Sequence, residues 1–223
     1  MKGRIWMKNP LKGNVQEFDI IVIGHQRANI YFGDDPVNPP RSKPVTCTSS
    51  LIRGIDWDGK PYCLLVDPTT RDTPEAYYFD LNRRTGLKPE HITHCFSTHE
   101  HFDHLEGLLY FPDAKWLVGK PNLPWASSSM LVDKTKLSGV EGEFLPGVMA
   151  VPLPGHTNTL HGVAFVLDGK RVIVAGDAVV SRHHFKDNAN NFEDDAEAAM
   201  ETQLRIKREY DIVIPGHDNL III

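Results

Sequence analysis

The amino-acid sequence predicts an α/β fold, a four-layer αββα sandwich in which two β-sheets lie face to face with helices outside. Three observations predict it. Strand-like stretches fall into two batches, and each batch carries helical segments of its own. The composition is that of a globular chain, with 41% hydrophobic and 24% charged residues among 223. No short-period repeat or domain boundary interrupts it, so residues 1–223 are expected to form a single domain.

Phe18–Ile23, ending at Gly24, reads as the first strand. The proline-rich segment 34–44 (DDPVNPPRSKP) reads as a loop. Val45–Ile55 and Pro61–Asp67 read as strands joined by a tight turn at Asp56-Trp57-Asp58-Gly59. Thr73–Thr85 reads as a helix, with Pro74 at its first position and Gly86 as its stop. His91–Ser97 is the next strand, and Asp103–Tyr110 a short helix with Leu105, Leu108 and Leu109 facing inward. Four more strands follow: Ala114–Val118, Val148–Leu153, Val163–Leu167 and Val172–Ala175. The last two are joined by the hairpin signal Asp168-Gly169. Phe192–Tyr210 reads as a long helix packing through Ala196, Ala199, Leu204 and Ile206, and Ile212–Pro215 as the final strand. The apolar tail Leu220–Ile223 suits either a sheet edge or a subunit interface, so a homodimer is one expectation.

A net charge of −5 disfavours non-specific nucleic-acid binding, which needs a basic surface. Cys47, Cys63 and Cys95 are too widely spaced for a zinc knuckle and odd in number, and they read as buried thiols in a reducing compartment. Met1–Gln16 holds no apolar run long enough for a signal peptide, and no stretch approaches a membrane span. A cytoplasmic protein without membrane partners is expected.

The chemistry concentrates in Ser97-Thr98-His99-Glu100-His101-Phe102-Asp103-His104, directly after a strand. Three histidines and an aspartate within six residues suit a divalent metal, whose nitrogen and oxygen ligands must converge from different backbone directions. Three more strand ends each deliver a glycine and then a ligand-type residue: Gly155-His156, Gly176-Asp177 and Gly216-His217.

His-x-His-x-Asp-His, followed at 52, 21 and 40 residues by His156, Asp177 and His217, resembles the metallo-β-lactamase superfamily from about Phe18 to His217. The resemblance implies that His99, His101 and His156 hold one ion. It implies that Asp103, His104 and His217 hold a second, and that Asp177 bridges the two. It gives Asp67 the role of orienting a ligating imidazole. The cofactors implied are two divalent metal ions, zinc first, with iron or manganese also fitting these donors. Two such ions carry more positive charge than Asp103 and Asp177 neutralise, so a shared water would ionise to hydroxide near neutral pH. The resemblance also makes Asp103 the candidate catalytic residue, orienting that nucleophile or shuttling its proton.

The expected function is a metal-dependent hydrolase of a small-molecule ester, lactone or thioester. A ribonuclease or phosphodiesterase is the second expectation, and a non-catalytic metal-binding protein the third. Asp177 resembles the bridging aspartate of the glyoxalase II, lactonase and nuclease branches rather than the zinc β-lactamases. With six residues after His217, the helical substrate domain of glyoxalase II is not expected here. Acyl-homoserine lactonases place a tyrosine three residues after that aspartate, where this chain has Val180. His183 or His184 could supply a proton instead. His25 and His161 are further pocket candidates, and Trp57, Trp125, Tyr31 and Phe32 could form an apolar wall.

Overall fold

The computed structural model describes residues 14–25, 45–130, 132–188 and 193–223. The segment 34–44, Tyr31, Phe32 and Phe192 lie outside the described residues. The first sheet contains β1 (Val15–Val22), β2 (Ser49–Ile55), β3 (Pro61–Val66), β4 (His94–Ser97), β5 (Lys115–Gly119) and β6 (Leu137–Val140), in that order. The second holds β7 (Gly142–Leu145), β8 (Val148–Pro152), β9 (His161–Leu167), β10 (Lys170–Gly176), β11 (Ile212–Pro215) and β12 (Ile221–Ile222), also side by side. The helices are α1 (Pro74–Thr85), α2 (Phe102–Leu105), α3 (Leu123–Ser128), α4 (Arg182–Asp187) and α5 (Ala196–Glu209).

The alternation of apolar side chains along the strands generates the layers. On β3, Tyr62, Leu64 and Val66 point toward the second sheet and meet Val148, Phe165, Val172 and Val174. Leu65 points the other way, into a core shared with Tyr77 and Leu81 of α1, Leu105 and Ala126. On β10, Ile173 and Ala175 face outward and pack with Phe185 of α4 and Ile206 of α5. Helix, sheet, sheet and helix thus enclose three apolar cores, as expected for an αββα sandwich.

Strands β3 to β6 run parallel, as do β10 and β11, while β8 is antiparallel to β9 and β9 to β10. The carboxyl ends of β3, β4, β8, β10 and β11 therefore open onto one edge, the usual ligand side of such sheets.

Several boundaries differ from the sequence reading. The strand expected from Val45 begins at Ser49, preceded by an isolated bridge between Thr46 and His25. The strand expected from His91 begins at His94, because Pro89 opens a 3₁₀ turn. α1 keeps its expected start, with the Thr73 hydroxyl capping Ala76 N. The long helix starts at Ala196, where the Asp195 carboxylate caps Ala198 N. Ala196 and Leu204 prove exposed, and α5 instead buries Ala199, Thr202, Gln203 and Ile206. Leu109 is 49% exposed, because the expected second helix turns 3₁₀ after Leu105 and its faces rotate. The tail joins the sheet edge: Ile221 and Ile222 pair antiparallel with β11. β6, β7, α3 and α4 were not anticipated; the strands are only four residues long, and the helices six.

Candidate metal centre

His99 and His101 follow β4, Asp103 and His104 lie in α2 just beyond it, and His156, Asp177 and His217 follow β8, β10 and β11. His99, His101, His156 and Asp177 offer one donor atom each, all within 4.8 Å of one another, and Asp103, His104 and His217 form an adjoining set. All are buried except His101. Within the first set, His101 Nδ1 lies 2.9 Å from His99 Nε2 and 3.0 Å from His156 Nε2. Asp177 connects the two sets. Its Oδ2 is 3.5 Å from His156 Nε2, and its Oδ1 is 3.3 Å from both His104 Nε2 and His217 Nε2. Asp103 Oδ2 stands 3.5 Å from His217 Nε2 and 3.8 Å from His104 Nε2. Four donors held tetrahedrally at about 2.1 Å from an ion would be about 3.4 Å apart, so these separations are compatible with donor sets that could hold a cation.

The far sides of the rings decide which nitrogens face the centre. His104 Nδ1 lies 2.9 Å from Asp67 Oδ2, and His217 Nδ1 lies 2.9 Å from the Thr46 carbonyl. Carboxylates and carbonyls only accept, so both Nδ1 atoms carry the proton, and in the neutral ring Nε2 presents a lone pair inward. His104 Nε2 and Asp177 Oδ1 are fully buried and make no hydrogen bond among the described residues. A cation between them would satisfy both, so the residues present fit a divalent metal.

Charge reinforces this. Burial raises the cost of charging Asp177, but His217 and His104 outweigh it and hold the carboxyl well below its ordinary range. Burial likewise opposes charge on His104, yet Cys47, Asp67, Asp103 and Asp177 push its imidazole well above the usual value. His217 is raised against its own burial mainly by Asp177. His99, buried and beside the positive His104, is driven well below. The centre is an electrostatic well for positive charge.

Backbone approach makes this crowding possible. A Cβ on Gly216 would lie 1.8 Å from Asp177 Oδ1. Gly155 has φ +135°, and a Cβ there would meet Ala199 Cα at 2.3 Å.

Three supporting residues lay outside the sequence reading. Thr98 donates its N–H to Asp67 Oδ1 and its hydroxyl to Asp67 Oδ2, and its Oγ1 lies 3.1 Å from His99 Nδ1. It sits inside the motif, and its place between a ligand and the strand was the available signal. Cys47 Sγ contacts the Asp103 carbonyl at 3.0 Å, and burial pushes its thiol up to about 11. Asp218 receives three bonds from Arg182, a pairing that no local sequence pattern announces.

The pocket candidates separate. His25 pairs through its backbone with Thr46, whose carbonyl orients His217. His161 is buried; its N–H bonds the Thr98 carbonyl and its Nδ1 lies 2.8 Å from the Thr159 carbonyl. His184 is buried against Ser181 Oγ at 2.7 Å, while His183 is half-buried on α4. Trp125 is 59% exposed on α3, after the site end of β5. Trp57 is no part of a substrate wall. It lies in the turn before β3, whereas Asp67 follows that strand, about 20 Å away at about 3.3 Å per residue.

Adjoining carboxylate and imidazole donor sets that could hold metal ions thus lie at one edge of an αββα sandwich. Residues 42–217 match the metallo-beta-lactamase superfamily, and the chain belongs to that family of metal-dependent hydrolases. It is 29% identical over 177 residues to metallo-beta-lactamase domain-containing protein 1 of Xenopus laevis, covering 75% of this chain and 69% of that protein. It is 25% identical over 159 residues to an N-acyl homoserine lactonase of Bacillus cereus, covering 66% of this chain and 64% of the lactonase. The chain thus spans about two thirds of the length of these relatives. A solved N-acyl homoserine lactone hydrolase, with N-hexanoyl-L-homoserine at its catalytic metal center, superposes with a TM-score of 0.66. That match has 20% identity and covers 92% of this chain and 94% of the other, a likeness of fold. No helix among the described residues is long and apolar enough to cross a membrane.

Proposed function

We propose that the protein acts as a single domain that hydrolyses a small lactone, ester or thioester at a two-cation centre. The observation that carries this reading is Asp177, whose two carboxylate oxygens face different histidine sets at 3.3 Å and 3.5 Å. His99, His101 and His156 would hold one cation, Asp103, His104 and His217 the other, and Asp177 both. Zinc is the first expectation, with iron or manganese compatible with the same donors. When bound, two such cations supply a Lewis acid and lower the pKa of a shared water. Asp103 directs Oδ2 toward His104 and His217, and its carboxylate would be the group to orient such a water or accept a proton from it. Asp67 fixes His104 by accepting from Nδ1, and Thr46 fixes His217 likewise.

The lactonases among the relatives support the substrate class, although Val180 stands where that branch has tyrosine. All three cysteines are unpaired, which supports a reducing, cytoplasmic setting.

The test is a substrate panel on metal-loaded protein: acyl lactones, p-nitrophenyl esters, thioesters, bis(p-nitrophenyl) phosphate and RNA. Turnover of a carboxylic ester class, abolished by chelation and restored by zinc, is the expected result. Cleavage of the phosphodiesters alone would replace this reading with a nuclease. Two tightly held metals with no turnover would leave a metal-binding protein.

A further inference from the structure

His156 and His217 sit on loops, and a loop keeps a catalytic geometry only when its backbone is held from outside. The loop carrying His156 is held by the segment that enters α5 and by α5 itself. Thr202 Oγ1 donates to the Pro154 carbonyl at 2.8 Å. Asp194 N donates to the Gly155 carbonyl at 2.9 Å and to that of His156 at 3.2 Å, and Asp195 N reaches the Gly155 carbonyl at 3.1 Å. Asn158 N returns a bond to Asp194 Oδ2 at 3.2 Å. Helix and loop touch backbone to backbone where Gly155 meets Ala199.

A different device holds the loop carrying His217. Arg182, at the start of α4, gives three bonds to the Asp218 carboxylate: N at 3.0 Å, Nε at 2.8 Å and the guanidinium NH2 at 2.9 Å. His217 N donates to the Val180 carbonyl at 2.9 Å, and Thr48 Oγ1 to the Asp218 carbonyl at 2.8 Å. Asp177, whose carboxylate faces histidines of both sets, is secured from both directions. Gln203 of α5 donates to the Ala178 carbonyl at 3.3 Å, and Gly216 N to that of Val179 at 2.9 Å.

We propose that the outer layer of the second sheet carries two separate clamps, one for each cation position. Thr202 positions His156, and the Arg182–Asp218 pair positions His217. This rests on the two-cation reading above. The bonds of Thr202 reach the backbone of the His156 loop and those of Arg182 reach the residue after His217, so both are positioning devices. Thr202 is buried, while the Arg182 side chain is 48% exposed and holds a buried carboxylate. Among the described residues the two sets of hydrogen bonds come together at the segment after Asp177. Removal of one clamp should therefore lower affinity at its own cation position and spare the other.

The experiment uses the full chain and zinc. Competition with a chromophoric chelator yields the two zinc dissociation constants. Anomalous scattering from crystals at limiting zinc gives the occupancy of each position separately. The expected result for Thr202→Val is about a 10-fold weaker position at His99, His101 and His156, with the other within about twofold. Arg182→Met and Asp218→Asn should do the reverse, and Thr202→Ser should restore the wild-type constants. Equal weakening of both positions by each variant would mean a general loss of packing and would overturn the assignment. Wild-type constants in folded Thr202→Val and Arg182→Met would overturn it as well, while the two-cation reading stands. A wild-type chain that takes up no zinc would remove that reading, and the clamps with it.

Discussion

Asp67→Asn separates the electrostatic role of a supporting residue from its packing role. The Asp67 carboxylate is fully buried and accepts three bonds: Thr98 N at 2.8 Å, Thr98 Oγ1 at 2.9 Å and His104 Nδ1 at 2.9 Å. Asparagine has nearly the same shape and tolerates the left-handed backbone at φ 50°. One amide oxygen can keep the Thr98 N–H, so the NH2 group falls opposite His104. An NH2 donates, so His104 Nδ1 must accept, and the neutral ring then carries its proton on Nε2, the nitrogen proposed to face the cation. Fold stability should fall by about 1.5–3 kcal/mol for the lost charge-assisted bond. Zinc affinity at the position of Asp103, His104 and His217 should fall by about 10–100-fold. Asp67→Ala should cost more stability, because it leaves the Thr98 N–H unpaired, about 1–3 kcal/mol, and strains a left-handed alanine by about 1 kcal/mol. Urea unfolding measures the first quantity and chelator competition the second. An Asp67→Asn protein that binds two zinc equivalents with wild-type constants would refute the tautomer argument.

Gly216→Ala places a Cβ 1.8 Å from Asp177 Oδ1, so the two must separate; turnover should drop by about 100-fold or more with little change in the far-ultraviolet circular dichroism spectrum. His94 supplies a pH test. Burial first, and Lys115 second, lower its imidazole to about 4. The unfolded ring takes up a proton near pH 6.5 and the folded one does not. Its contribution is therefore complete above pH 6.5 and lost as pH falls toward 4. After allowance for partial exposure, His94→Gln should remove on the order of 1–2 kcal/mol of that acid-side decline, read from urea midpoints between the two pH values. An identical decline in both proteins would exclude it. Cys47 and Cys95 are fully buried while Cys63 is only partly so, so brief iodoacetamide treatment of the native protein should label at most one thiol by mass spectrometry.

Much of this molecule is written locally. The ligand-type residues stand one to a few places beyond apolar strands, and the strand alternation that buries Leu64 on one face and Leu65 on the other is visible in the chain. Period-two apolar patterning acts over a few residues, so the layer architecture could be read directly, whereas the ligand candidates came from residue types after strand ends and their grouping from the family resemblance. Short elements such as β6, β7, α3 and α4 could not, because four to six residues carry too little periodicity to outweigh tertiary packing. Nor could the Asp218–Arg182 clamp, the contact of Cys47 with the Asp103 carbonyl, or the placing of Trp57 far from Asp67. Each depends on which strand ends share an edge and on how closely two backbones approach. Those are properties of the assembled sheets: a hydrogen bond spanning 36 residues, as between Arg182 and Asp218, leaves no trace in either segment alone.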